Sequence, residues 1–204
     1  MNVTVLKLGG SLSTSPLLDE WLTAIAAFAK KQDIIIVPGG GPYADQVRLQ
    51  QQQQGLDDLT AHRQALLAMC QTGYWLMEKC PALQPIIDSG KVSPQLGQGL
   101  PLLWLPLELL DDTSIPASWD YTSDSIALWL AGKLHASRML LVKMHTLDTD
   151  ASLTDYINEE VIDKGFQLLI DNIKSKIYIF PVENFTDLAH PQAWPPALVC
   201  NRRN

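Results

Sequence analysis

Short apolar runs alternate with amphipathic stretches along the chain. Val3 to Leu8 is a run of mostly β-branched and aliphatic residues ending at Gly9-Gly10, the mark of a strand entering a tight turn. Leu18, Leu22, Ile25 and Ala29 then recur at helical spacing, with Lys30 and Lys31 at the end where cations suit the helix dipole. Ile34 to Val37 predicts a second buried strand, stopped by Pro38 and three glycines. Tyr43 to Gln54 reads as a polar helix, and its closing run Gln50 to Gln54 as a solvated end or loop without functional weight. Leu59 to Lys79 carries a long helical pattern through Leu66, Leu67, Cys70, Tyr74 and Met77.

Leu102 to Leu105 predicts a third strand, and Asp111 to Trp119 a polar, proline-containing loop. Thr122 to Leu134 reads as a helix and Met139 to Val142 as the strand after it. Further on, the pattern predicts a helix over Tyr156 to Asn172 and a strand over Lys176 to Phe180. An irregular, proline-rich tail follows, with Ala197 to Cys200 as a last short strand. Strands alternating with helices imply parallel βαβ units and a sheet covered on both faces. Neither an internal repeat nor a linker divides the chain, so residues 1–204 are expected to form one domain.

Two successive strand-to-helix junctions are rich in glycine: Lys7-Leu8-Gly9-Gly10-Ser11 and Pro38-Gly39-Gly40-Gly41-Pro42. Glycine lets a backbone approach a ligand with no Cβ in the way, and a helix that starts there aims N–H groups and its dipole at anions. In parallel sheets ligands sit outside the carboxyl ends of the strands, where both loops lie. Neither loop matches the spacing of GxxxxGK[ST] or GxGxxG. Lys7 lies inside an apolar strand, on the face of Val3 and Val5 and two residues before the glycines. Burying an unpaired ammonium is costly. Lys7 is therefore either a lysine snorkelling from a strand end or a cation set over a transferring phosphoryl group. A third cluster, Trp119 to Ser125, puts hydroxyls and carboxylates just ahead of the helix: Thr122 or Ser123 as a cap, and Asp124 as a first-turn acid that also orients lysines.

Composition narrows the classes. The 204 residues are 47% apolar and 18% charged, a globular balance. No apolar stretch approaches the roughly 20 residues of a membrane span. The N-terminus lacks a secretion-signal pattern, so a cytoplasmic protein with no membrane partner is expected. A net charge of −7 argues against general nucleic-acid binding and leaves anions to a few placed lysines and backbone N–H groups. Cys70, Cys80 and Cys200 form no CxxC, and His62, His135, His145 and His190 show no ligand spacing, so no protein metal site is indicated.

The segments VLKLGGS, IIIVPGGGP and TSDSIALWLAGKLHASRMLLVK, in that order over residues 1 to 148, resemble the amino acid kinase family. The resemblance implies an α/β fold, a three-layer α/β/α sandwich around a mainly parallel sheet of about eight strands. ATP would lie toward the C-terminal half, the acceptor toward the N-terminal half, and a homodimer is expected. It implies Lys7 as catalytic lysine, Asp124 as the aspartate organising the lysines, and Gly9, Gly10, Ser11, Gly39, Gly40 and Gly41 as phosphate-holding loops. Lys143 joins them as a contact to ATP phosphates, and Mg²⁺ would travel with ATP. Within the family, AHRQALLAM, LLWLPLELLDD and WDYTSDSIALWLAGKL are similar to small kinases of methanofuran and methylofuran synthesis. Those convert an aminomethylfuran-methyl phosphate to its diphosphate. In that light His62, Arg63, Thr122 and Ser123 become acceptor contacts. His62 reads equally as a half-buried helix histidine, Arg63 as a surface arginine and Lys143 as a solvated strand end.

Departures gather on the nucleotide side. Met144-His145-Thr146-Leu147-Asp148 replaces an acidic, glycine-containing loop. Val161 to Gly165 stands where a glycine-rich segment with a second lysine is usual, so Lys164 is given no role. Val199-Cys200-Asn201 lacks the family-like GT ending. A binding protein that has lost turnover and a carboxylate kinase making an acyl phosphate are the rival expectations.

Overall fold

The computed structural model describes residues 2–144 and 151–198. Six strands form one sheet: β1 (Val3–Leu8), β2 (Asp33–Pro38), β3 (Gln84–Ile86), β4 (Leu102–Trp104), β5 (Arg138–Lys143) and β6 (Lys176–Pro181). Their order is β3-β4-β2-β1-β5-β6, and every pairing is parallel. The expectation of about eight strands is thus corrected to six among the described residues. Leu102 opens the fourth strand, not the third, because β3 precedes it. The strand expected at Ala197 to Cys200 and the loop segment His145 to Asp148 reach outside the described residues.

The α-helices are α1 (Leu18–Ala29), α2 (Gly41–Gln54), α3 (Asp58–Lys79), α4 (Ser123–Lys133), α5 (Leu153–Asn158) and α6 (Gly165–Leu169). Alternation along β1 sorts them into two layers. Val3 and Val5 face one core, with Ile126, Leu130 and Phe166 of α4 and α6. Leu6 and Leu8 face the other, with Trp21, Leu22 and Ile25 of α1. A sheet buried on both sides reads as near-continuous apolar runs, which explains the fully buried β1 and most of β2. Among the described residues no helix is long and apolar enough to cross a membrane.

The single helix expected over Tyr156 to Asn172 is instead α5, a break and α6, which runs into a 3₁₀ turn. Glu160 takes a left-handed φ of 57° there, and Val161 and Ile162 both turn their N–H groups back to the Tyr156 carbonyl. The break frees Asp163 to reach the start of α4.

The chain places β2, β3 and β4 on one side of β1 before β5 joins the other, so β1 and β5 form a topological switch point. In open parallel sheets the crevice outside such a point is where ligands bind.

Candidate functional site

Lys7, on the α4 face of β1, and Lys143, closing β5, leave the sheet at adjacent carboxyl ends. Asp124, in the first turn of α4, lies between them. Its carboxylate meets Lys7 Nζ at 2.9 Å through Oδ1 and Lys143 Nζ at 2.5 Å through Oδ2. The three side chains are 7%, 11% and 5% exposed (Lys7, Lys143, Asp124), so these charges are nearly dry. Burial works against the Asp124 carboxylate, yet Lys7 and Lys143 outweigh it and hold its pKa down to about 2. Burial, and then the Lys7 charge, lower the pKa of Lys143, with Asp124 partly restoring it. Two ammoniums share the Asp124 carboxylate, with the Asp163 carboxylate also acting on Lys143, and two cations side by side in a shielded place at the strand ends favour an incoming anion.

The two glycine loops meet beside this group. A Cβ built on Gly10 would lie 2.3 Å from the Gly41 nitrogen, and one on Gly39 would lie 2.3 Å from the Gly10 nitrogen. The loops therefore touch backbone to backbone, an approach no side chain permits. Gly39 N–H donates to the Leu8 carbonyl at 2.8 Å, tying the second loop to the end of β1. Gly41 has φ +54° and opens α2, whose first turn carries N–H groups without helical partners. A Cβ on Gly9 would lie 3.7 Å from Lys7 Nζ, so the first loop passes over the buried ammonium.

Next to the loops lies a cavity of about 440 Å³. Gly10, Ser11, Gly40 and Gly41 form one end, and Thr122 and Ser123 bring in the start of α4. His62, Leu66 and Met69 of α3 line it with Trp119 and Tyr121 from the loop ahead of α4. The α4 first turn is thus shared, turning Asp124 to the lysines and Thr122 and Ser123 to the cavity. Burial lowers the pKa of His62, so its imidazole is neutral near pH 7. Among the expected site residues, Lys7, Asp124, Lys143, Gly9 and Gly39 gather at the strand ends, and Gly10, Ser11, Gly40, Gly41, His62, Thr122 and Ser123 at the cavity. Arg63 joins neither group. It donates from Nε to the Leu110 carbonyl at 2.9 Å and pairs with Asp111 at 3.6 Å, because its position on α3 turns it to the outer surface. The Lys143 placement discards the solvated strand end in favour of a buried ion pair.

Three residues had no role in the sequence pattern. Asp163 does the capping expected of Thr122 or Ser123. Its carboxylate accepts from Thr122 N at 2.8 Å, Thr122 Oγ1 at 2.7 Å, Ser125 N at 3.1 Å and Ser125 Oγ, and also from Phe166 N at 3.0 Å at the start of α6. The Thr122 hydroxyl proton is thereby committed to Asp163. Burial, and the Asp124 charge close by, push the Asp163 carboxyl up. Gln51, inside the glutamine run, accepts the indole N–H of Trp119 at 2.5 Å, and Arg48 lies 4.4 Å over the same ring. No signal in a polyglutamine stretch marks one member; only the tertiary contact does.

The amino acid kinase family model matches residues 2–80, the part holding Lys7 and both glycine loops. Over that stretch the chain is similar to the amino acid kinase family. A curated relative, the [5-(aminomethyl)furan-3-yl]methyl phosphate kinase of Methanocaldococcus jannaschii, is 28% identical over 196 residues, covering 86% of each chain. The uridylate kinase of Archaeoglobus fulgidus superposes with a TM-score of 0.71 at 18% identity, covering 98% of this chain and 100% of that one. The isopentenyl phosphate kinase of T. acidophilum does so with a TM-score of 0.58 at 12% identity, covering 97% and 100%. These similar proteins are all kinases, and the six-stranded parallel sheet flanked by helices is the fold they share with this chain.

Proposed function

We propose that this chain is an amino acid kinase that transfers the γ-phosphoryl group of ATP to a small phosphate monoester of the aminomethylfuran-methyl phosphate kind, giving the diphosphate in one-carbon cofactor synthesis. The observation that carries this reading is the Lys7–Asp124–Lys143 group, whose two ammoniums sit beside two interlocked glycine loops. An oxygen of the acceptor phosphate attacks the γ-phosphorus, the bond from that phosphorus to the β–γ bridging oxygen breaks, and ADP leaves. Lys7 and Lys143 stabilise the charge spread over the transferring group, and loop N–H groups hold the acceptor phosphate. A monoester acceptor has a second pKa of about 6, so it arrives ionised and needs no strong base. The neutral His62 is suited to hydrogen bonding with it.

Mg²⁺ fits this scheme as a companion of ATP. Among the described residues no group of three or more His, Cys, Asp or Glu could hold a metal ion, so its ligands would come from the phosphates. When bound, it would neutralise phosphate charge.

An ADP-release screen tests the proposal, using aminomethylfuran-methyl phosphate, UMP, isopentenyl phosphate and a carboxylate acceptor. Turnover with the first well above the rest is expected. ADP formed with the carboxylate, together with hydroxylamine trapping of an acyl phosphate, would assign a different acceptor class. Calorimetric binding of ATP–Mg²⁺ with no ADP from any acceptor would leave a binding protein.

A further inference from the structure

The cavity is polarised. Its inner end is built from glycine-loop backbone and two helix starts, all suited to an anion, whereas its outer rim carries the carboxylates of Asp45 and Asp58. These two acids are not equivalent. Asp45 accepts a hydrogen bond from Arg48 at 2.9 Å, so its charge is already matched. Asp58 accepts the neutral Gln51 amide at 2.9 Å and forms no ion pair among the described residues. Gln51 in turn accepts the Trp119 indole N–H at 2.5 Å, so one side chain fixes both the aromatic wall and the rim carboxylate. The capping of α3 does not require Asp58, because Asp57 accepts from Thr60 N at 2.7 Å.

We propose that Asp58 recognises a cationic group on the acceptor, a primary ammonium at the end opposite its phosphate, with the Trp119 ring as the wall between the two ends. This rests on the phosphotransfer reading and assigns its acceptor specificity to a residue. The ammonium donates to the Asp58 carboxylate at the rim while the phosphate occupies the loop end. A flat ring lies along Trp119, whose ring already carries the Arg48 guanidinium at 4.4 Å, so the ammonium is left to Asp58. A neutral acceptor of the same shape leaves the carboxylate solvated and gains nothing from it. The relative named for an aminomethyl phosphate acts on a molecule with both features.

The test uses two phosphate monoesters on one skeleton, one bearing an aminomethyl group and the other a hydroxymethyl group. ADP release is measured for the native protein, Asp58→Asn and Gln51→Ala. The native protein is expected to favour the amine by about tenfold in kcat/KM, the scale of a hydrogen bond to a charged group. Asp58→Asn is expected to lower kcat/KM for the amine about tenfold more than for the alcohol, mainly through KM. Gln51→Ala should shift the ratio in the same direction by less. Equal native kcat/KM for the two esters, or an Asp58→Asn loss equal for both, would overturn the proposal and leave Asp58 a structural residue. Absence of ADP with either ester counts against phosphotransfer itself. Calorimetry with the same two esters then decides the specificity separately, and equal affinities would end it.

Discussion

Replacing Asp124 with Asn keeps the shape of the side chain and removes the charge that two buried ammoniums share. The carboxyl, ordinarily at 3.8, is held at about 2 in the folded protein, although burial alone would raise it. A depression of roughly two units corresponds to about 2–3 kcal/mol, which measures the cost of neutralising this side chain in place. Breaking a buried ion pair by removing one partner typically costs about 3–5 kcal/mol, so the two routes overlap near 3 kcal/mol. For a chain of this size that is a fall in Tm of about 6–12 °C near pH 7. The pH dependence follows from the sign of the shift. Because the folded pKa is depressed, the stabilisation is fully present above about pH 4 and is lost as pH falls through about 2. Thermal or urea unfolding of both proteins over that range should therefore show the gap closing toward acid. Turnover should fall by about 10²–10³, the usual effect of removing an electrostatic element of a reaction centre. Activity of the variant should recover partly at lower pH, because Lys143 loses the carboxylate that raises its pKa and keeps its charge less well. A variant with native Tm at neutral pH, or a stability gap independent of pH, would refute the view that Asp124 holds the two lysines.

Three further substitutions probe separate parts of the site. Lys7→Ala should lower kcat by about 10²–10³ with the fold retained, checked by ADP release alongside circular dichroism; near-native turnover would remove Lys7 from the reaction. Gly10→Ala would set a methyl group 2.3 Å from the Gly41 nitrogen, so the loops must part. A loss of about 1–3 kcal/mol in urea unfolding and a raised KM for both substrates are expected. Asp163→Asn weakens hydrogen bonds to the start of α4, and should cost about 1–3 kcal/mol while lowering kcat and raising acceptor KM together. A change in one constant alone would speak against the shared first turn.

What the sequence made legible was whatever broke a local pattern. A lysine in an otherwise apolar strand, and glycines crowded at two junctions, stand out against their neighbours, and the structure brings them together. Asp124 was readable because a cap needs one side chain and Thr122 to Ser125 offers four. Other features depend on partners distant in sequence. β3 has only three residues, with Pro85 in the middle, a placement an edge strand tolerates but no periodicity reveals. The spacing of Tyr156, Phe166 and Leu169 suggests one helix, yet the hydrogen bonds of Asp163 to α4 and α6 accompany a break there. Gln51 looks like each of its neighbours in a uniform run, and its bonds to Trp119 and Asp58 come from another segment of chain. Arg63 stood beside His62 in sequence, but adjacent positions on a helix point about 100° apart.

The buried Lys7–Asp124–Lys143 group has a kinetic consequence beyond catalysis. It sets two ammoniums side by side in a chain whose formal net charge is −7. From far away an approaching phosphate compound meets repulsion, and attraction takes over only within the reach of the loops. Encounter is then opposed by the long-range field and commitment is made by short-range capture, the reverse of electrostatic steering. Because salt screens distant charges more than enclosed ones, moderate ionic strength should speed the association of an anionic substrate before it weakens its retention.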